Sequence, residues 1–291
     1  MKIKQWLTEP ATSSDILGGY NYGFIDQGAK KEIRRSLLKA VAIPGYQVPF
    51  GSRELPIARG WGTGGLQITL ALVLPEDRLK VIDQGCDGSV NAVNIRKFIS
   101  SVTGVATTTA TSEATIIQTR HRIPEEKLTT EQILVLQVPY PEALREVEPS
   151  EMETRRMHGE ADYSRMWLYL YENIVNFGEI RISYRYPVTV NGRYIMDPSP
   201  IPRWDVPKLH MAESLFLFGA GREKRIYAIP PYTRVEPLEF EDHSFRVEDF
   251  AGLSCTRCGS TESFLDEVID DESGQRHYVC SDSGYCDRRC A

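Results

Sequence analysis

Four cysteines near the end of the chain, Cys255, Cys258, Cys280 and Cys286, are spaced C-x2-C-x21-C-x5-C. Thiolates are soft ligands suited to zinc and to iron–sulfur clusters. The segment Ser254-Cys255-Thr256-Arg257-Cys258 can turn two sulfurs toward one metal. The stretch VIDDESGQRHYV then reads as a hairpin that returns Cys280 to the same place. By spacing alone, the ordinary reading is a structural zinc ribbon, a closed tetrahedral site. Two features fit it poorly. A ribbon has C-x2-C on both sides, whereas here the second pair is C-x5-C, and Cys290 supplies a further thiol. The other reading divides the set three plus one. Three cysteines can hold a 4Fe–4S cluster with one iron open to the amino and carboxylate groups of S-adenosylmethionine, whose reductive cleavage yields a 5′-deoxyadenosyl radical. The fourth cysteine then stays free as a reactive thiol.

A second group of candidates carries positive charge or flexible backbone. His121 lies between Arg120 and Arg122 at the end of an apolar run, and paired arginines suit an anion such as phosphate. Gly60, Gly62, Gly64 and Gly65 could form a backbone nest for phosphate, although no GK[ST] follows as in a Walker loop. Gly219, Gly221, Arg222, Lys224 and Arg225 offer another anion-binding turn, or simply a basic hairpin tip. Cys86 has no His close in sequence to activate it and reads as a small buried residue.

The composition bounds these readings. The chain has 291 residues, 41% hydrophobic and 25% charged, with a formal net charge of −6. That is an ordinary globular balance. It contains no Lys/Arg run able to neutralise a phosphate backbone, so no nucleic-acid partner is expected. The N-terminal residues lack the apolar core of a signal peptide, and no run approaches a membrane span. A cytoplasmic, reducing setting is therefore expected, where clustered cysteines point to metal or redox chemistry rather than disulfides.

The elements that must position these residues suggest an α+β protein. Its layered α/β core would span 19–125 and 176–250, after an N-terminal arm at 1–18. A helical insertion would span 126–175, and a zinc-ribbon-like hairpin module rich in cysteine 251–291. Asp26 can cap a helix that carries Leu37 and Ala40 inward and stops at Pro44–Gly45. LQITLALVL (66–74) reads as a buried strand, LKVID (79–83) as a second and ATIIQTRHRI (114–123) as a third, with a helix over 89–103 stopped by Gly104. ILVLQV (133–138) is a further strand, and residues 150–177 form one long helical stretch. Asn191–Gly192 between β-formers signals a hairpin.

Several long and unusual stretches together resemble one family, the J subunit of the bacterial carbon–phosphorus lyase core complex. They are GYNYGFID (19–26), KAVAIPGYQVPFGSRELP (39–56), GWGTGG (60–65), VIDQG (81–85), IQTRHRIPE (117–125), VNGRYIMDPSPIP (190–202), LFGAGREKRIYAIPP (217–231) and CSDSGYC (280–286). The resemblance covers nearly the whole chain. It implies an atypical radical S-adenosylmethionine enzyme that cleaves α-D-ribose 1-methylphosphonate 5-phosphate to methane and ribose 1,2-cyclic phosphate 5-phosphate. By the same resemblance, Cys255, Cys258 and Cys280 would hold the cluster, with zinc able to replace it in aerobic preparations. Cys286 would carry the thiyl radical, Gly45 the glycyl radical, and His121 would bind a metal shared with the I subunit. The family works in a complex with G, H and I subunits, on which an ATP-binding-cassette subunit docks, and residues 126–175 are the candidate docking surface. The alternative is a non-catalytic, zinc-stabilised scaffold subunit of a multiprotein complex.

Overall fold

The computed structural model describes residues 35, 37–42, 47–49, 63–138, 143–178, 188–196, 205–220, 225–238 and 250–291. The arm at 1–18, Asp26, Gly45, Gly60, Gly62, Gly221, Arg222 and Lys224 lie outside the described residues. The principal sheet combines β1 (Gln47–Pro49), β2 (Arg78–Asp83), β3 (Ala106–Thr107), β4 (Ile116–Arg120), β5 (Ile133–Gln137), β8 (Leu215–Ala220) and β9 (Arg225–Ile229). Their order is β1-β9-β8-β5-β4-β2-β3. Strands β3, β2, β4, β5 and β8 run parallel, while β9 and β1 close one side antiparallel.

A parallel sheet needs both faces covered, so its strands carry near-continuous apolar runs. On one face Val81, Ile116, Val135 and Leu217 pack with helices α1 (Thr63–Leu72) and α2 (Val90–Thr103). On the other, Leu134, Leu136, Phe216 and Phe218 pack with Met157 of α3 (Glu151–Glu160) and with Met166, Leu170 and Ile174 of α4 (Ser164–Phe177). A second sheet joins β6 (Val188–Val190), β7 (Tyr194–Met196) and β10 (Val235–Pro237), with the expected turn at Asn191 and Gly192, both at positive φ. A short helix, α5 (Val206–Leu209), precedes β8. Hairpin β11 (Leu265–Ile269)–β12 (Arg276–Cys280) and helix α6 (Ser283–Cys290) form the cysteine-bearing end. Among the described residues, no helix is long and apolar enough to cross a membrane.

Three expectations are corrected. Residues 66–72 are not a strand; they belong to helix α1. Every residue from Leu66 to Val73 is buried, and a helix apolar all round carries no period to separate it from a buried strand. The stretch 150–177 is two helices, because Ala161 turns into the left-handed region at φ +54° and ends α3. The boundary at 126 also cuts through the sheet. Strand β5, read as part of a helical insertion, lies between β4 and β8.

Helix α1 sits so close to the sheet that glycine is required. A Cβ on Gly64 would overlap the backbone of Ala220, and one on Gly65 would lie 2.8 Å from the Gln137 Cβ. Gly64→Ala should therefore cost about 1–3 kcal/mol through overpacking. The melting temperature should fall by several degrees, and an unchanged melting curve would show that the helix can shift freely.

Candidate functional site

The Cys255 and Cys258 knuckle closes through the Gly259 N–H, which donates to the Cys255 carbonyl at 2.8 Å, with Gly259 at φ +70°. Hairpin register places Cys280 opposite Leu265, and α6 adds Cys286 from its first turns. The Sγ atoms of Cys255, Cys258, Cys280 and Cys286 all lie within 4.8 Å of one another. Two of the separations are 3.6 Å (Cys255 to Cys286) and 3.5 Å (Cys258 to Cys280). A tetrahedron of thiolates about one zinc has edges of about 3.8 Å, given Zn–S bonds of about 2.3 Å. The spacing is thus that of a single ion. The donor chemistry also suits an iron–sulfur cluster, but several irons between three of these sulfurs require them to stand farther apart. Cys290 is exposed and outside the set; its thiol donates to the Arg257 carbonyl at 3.4 Å.

The four thiols differ electrostatically. Burial raises the Cys255 pKa, but backbone N–H groups of Cys258, Cys280 and Arg257 outweigh it and bring the thiol down to about 6. Burial pushes Cys280 up to about 12, despite the Ser263 hydroxyl 3.0 Å away. Cys286 is raised by burial and by the adjoining sulfurs of Cys255 and Cys258.

The cysteine-bearing end is tied to the strand ends of the main sheet. The Arg122 guanidinium donates to Ser281 Oγ at 2.6 Å and Asp266 at 3.2 Å, and its carbon lies 3.3 Å from the Phe264 ring centroid. Buried Lys80 of β2 reaches Asp282 at 3.5 Å, the Thr109 carbonyl at 2.7 Å and Thr111 Oγ1 at 3.0 Å. Burial lowers the Lys80 pKa and raises that of Asp282, each partly offset by the other's charge. Arg288 of α6 donates to the Thr109 carbonyl at 2.9 Å and pairs with Glu126.

Beside this junction the sheet has a topological switch. The chain leaves β2 through α2 toward β3 and leaves β4 in the opposite direction, toward β5. In open parallel sheets the crevice at such a point is where ligands bind. Asp83 and Arg120 are register partners across it, joined by contacts of 3.0 and 3.2 Å, and Asn91 adds a bond of 2.9 Å to Asp83. His121 Nε2 stands 3.7 Å from Asp83. The Arg122 N–H donates to the Arg120 carbonyl at 2.9 Å across His121, whose φ is +72°. That is the geometry of a strained γ-turn. Burial lowers the His121 pKa, Asp83 opposes this, and Arg120 and Arg122 add to it. A neutral imidazole is the form that ligates metal.

Of the candidates read from sequence, the four cysteines converge, and Arg120 and His121 share the crevice. Arg122 is turned to the hairpin, so it ties two parts of the fold together. Gly64 and Gly65 begin α1 against the sheet. Gly45, Gly62 and Arg222 lie outside the described residues. Asp83, Lys80, Ser281 and Asp282 were not singled out from sequence. The acid ending a strand in VIDQG was the one available signal for Asp83.

The chain has close relatives. The family described as phosphonate metabolism protein PhnJ matches residues 18–291. A protein of Escherichia coli (strain K12), named alpha-D-ribose 1-methylphosphonate 5-phosphate C-P lyase, is 59% identical over 270 residues, covering 93% of this chain and 96% of the relative. Its counterpart named with the same activity in Rhizobium meliloti (strain 1021) is 58% identical over 275 residues, covering 94% and 92%. With a family match across nearly its whole length, this chain belongs to the phosphonate metabolism protein PhnJ family.

Proposed function

We propose that this chain is a carbon–phosphorus lyase acting on α-D-ribose 1-methylphosphonate 5-phosphate, the substrate named for both relatives. The observation that carries the reading is the buried four-thiol cluster docked at the ends of β2 and β4. An alkyl phosphonate has no good leaving group, since hydrolysis would expel a methyl carbanion. A sulfur radical avoids that step, which is why one cysteine of the set must be able to act alone.

The finer proposal divides the set. Cys255, Cys258 and Cys280 would hold a 4Fe–4S cluster, which when bound would pass one electron from an external one-electron reductant to S-adenosylmethionine, giving methionine and the 5′-deoxyadenosyl radical that takes the Gly45 α-hydrogen. Gly45 would store the radical on its α-carbon and take the hydrogen atom from the Cys286 thiol. The Cys286 thiyl would add to phosphorus and expel a methyl radical, which takes a hydrogen atom from the Gly45 α-carbon and leaves as methane. Gly45 is then a radical again, and a thiophosphate ester joins Cys286 to phosphorus. Attack by the ribose 2-hydroxyl expels the Cys286 thiolate and gives ribose 1,2-cyclic phosphate 5-phosphate. Splitting one hard displacement into two easier steps is covalent catalysis.

Arg120 at the crevice is the candidate for the substrate's phosphate, with Arg222, Gly62, Gly64 and Gly65 further candidates. His121 would bind a metal with the I subunit of a complex that also contains G and H subunits. Helix α4 exposes Leu168, Val175 and Phe177, and residues 126–175 would receive the ATP-binding-cassette subunit. The division of labour gives a core over 19–125 and 176–250 that also takes in β5, and a zinc-ribbon-like module over 251–291, in a cytoplasmic protein.

The single-ion spacing of the four sulfurs favours a second reading, a scaffold subunit whose zinc site only secures the C-terminal end. Metal and sulfide content after anaerobic reconstitution separates the two. The lyase should bind iron and sulfide and cleave S-adenosylmethionine; zinc alone, with the cofactor intact, would sink it. Cys286→Ala should retain the cluster and cofactor cleavage while methane release falls at least about a thousandfold, as when a nucleophile is removed. Gly45→Ala should behave alike. Wild-type methane from either variant removes that residue from the mechanism. Cys255→Ala should instead lose the metal, since it removes a buried thiol brought down to about 6, and retained iron or zinc at wild-type stoichiometry would contradict this.

A further inference from the structure

Between Cys280 and Cys286 four consecutive residues meet strand β2 or the loops that follow β2, β3 and β4. Ser281 Oγ accepts from Arg122 at 2.6 Å. Asp282 faces Lys80 at 3.5 Å, with side chains only 1% and 0% exposed. Ser283 Oγ donates to Asp87, and the Cys86 thiol lies 3.5 Å from it. Gly284 is pressed against the Asp87 carboxylate, and a Cβ there would lie 2.9 Å from the Thr109 carbonyl. The knuckle of Cys255 and Cys258 is held differently: the Cys255 N–H donates to the Ser260 carbonyl at 2.9 Å and the Thr256 N–H to the Tyr278 carbonyl at 2.8 Å, within its own hairpin module.

Asp282 does two things with one carboxylate. Its Oδ1 accepts from the Tyr285 N–H at 2.9 Å and caps helix α6, and its Oδ2 meets Lys80. Its carbonyl also accepts from the Cys286 N–H at 3.0 Å. The Lys80 ammonium is fixed in turn by Thr109 and Thr111. A buried ion pair of this kind adds little net stability, because both charges lose water, and its best-attested use is to select one register.

We propose that Lys80 is a positioning residue for Cys286: through Asp282 it fixes the start of helix α6 to strand β2 and holds the Cys286 sulfur in place with or without a bound metal. Its catalytic meaning rests on the reading of Cys286 as the reacting thiol; the placement does not.

The test uses the full-length chain with metal stripped by a chelator under reducing conditions, alkylated with iodoacetamide and followed cysteine by cysteine by mass spectrometry. Lys80→Met leaves Asp282 buried without its partner and can impair folding. The deciding variant is therefore Lys80→Met with Asp282→Asn, which removes both charges and keeps a capping side chain. Alkylation of Cys286 should accelerate at least tenfold in it, while exposed Cys290 reacts as in the wild type and the β5 amides keep their protection from hydrogen exchange. Wild-type protection of Cys286 overturns the proposal. Loss of β5 protection overturns it too, since the pair would then carry the fold and not the helix register.

A second measurement uses the complete complex, anaerobically reconstituted, with S-adenosylmethionine, the ribose methylphosphonate and dithionite as one-electron reductant. The double variant should cleave the cofactor within twofold of wild type and release methane at least tenfold more slowly. Wild-type methane release overturns the positioning role and leaves the lyase reading intact. A wild-type complex that makes no methane overturns the lyase reading, and thiol alkylation still decides the placement.

Discussion

Four sulfurs enclosed within 4.8 Å of one another and largely shielded from water cannot all be charged without a cation among them. Cys255 is brought well below the ordinary thiol value, to about 6, while Cys280 and Cys286 are pushed up. Much else about the C-terminal end follows from holding such a cluster together. Three of the ligands belong to the hairpin and knuckle, whose bonds are mostly local. The fourth lies on a two-turn helix, too short to be stable alone. Its cap and the residues before it are therefore made fast to the sheet.

The sheet supplies the fixed side of that junction. Its parallel strands end together, so Asp83, Arg120, Gln137 and Gly219 form a row in register at their C-terminal ends. The switch between β2 and β4 opens a crevice in this row, and the loop after β4 leads from the crevice to the cysteine hairpin. Arg120, His121 and Arg122 are consecutive but do separate things. The first pairs with Asp83, the second sits in a strained turn beside it, and the third reaches Ser281 next to Cys280. The strain at His121 is maintained because both neighbours are anchored, a pattern that recurs at functional sites.

The parts of this arrangement legible in the sequence are those with a local cause. Gly104 ends α2 because glycine accepts φ +74°, and Ser89 opens the helix by accepting from the Ala92 N–H. The Asn191–Gly192 turn and the cysteine hairpin are equally local. Helix α1 was misread because tertiary burial on all sides erased its period. The break at Ala161 was missed because alanine is an excellent helix former, and nothing in its type announces a positive φ. The site was half legible: cysteine spacing gathers the sulfurs, but it says nothing of what fixes them. Lys80 and Asp282 are 202 residues apart, and neither type nor spacing marks them as partners. Arg122 looked like an anion ligand because its partner, Asp266, lies 144 positions away.

The unequal attachment of the four cysteines bears on how one set of thiols could serve two purposes. The hairpin is tied to the loop after β4, by Arg122 to Asp266 and by the Phe264 N–H to Glu125, whereas the start of α6 is tied to β2 through Asp282 and Lys80. Here the Cys255 and Cys258 knuckle, held by bonds within its own module, can shift around a larger metal group while Cys286 stays tied to β2. Widening the separation among Cys255, Cys258 and Cys280 then falls to the knuckle, since Cys280 adjoins Ser281, which Arg122 holds. Cys286 would be left behind by that movement, still held by Asp282, whose carbonyl accepts from its N–H and whose carboxylate meets Lys80 of β2. The difference in attachment between the Cys255–Cys258 knuckle and Cys286 is thus already present before any metal is bound.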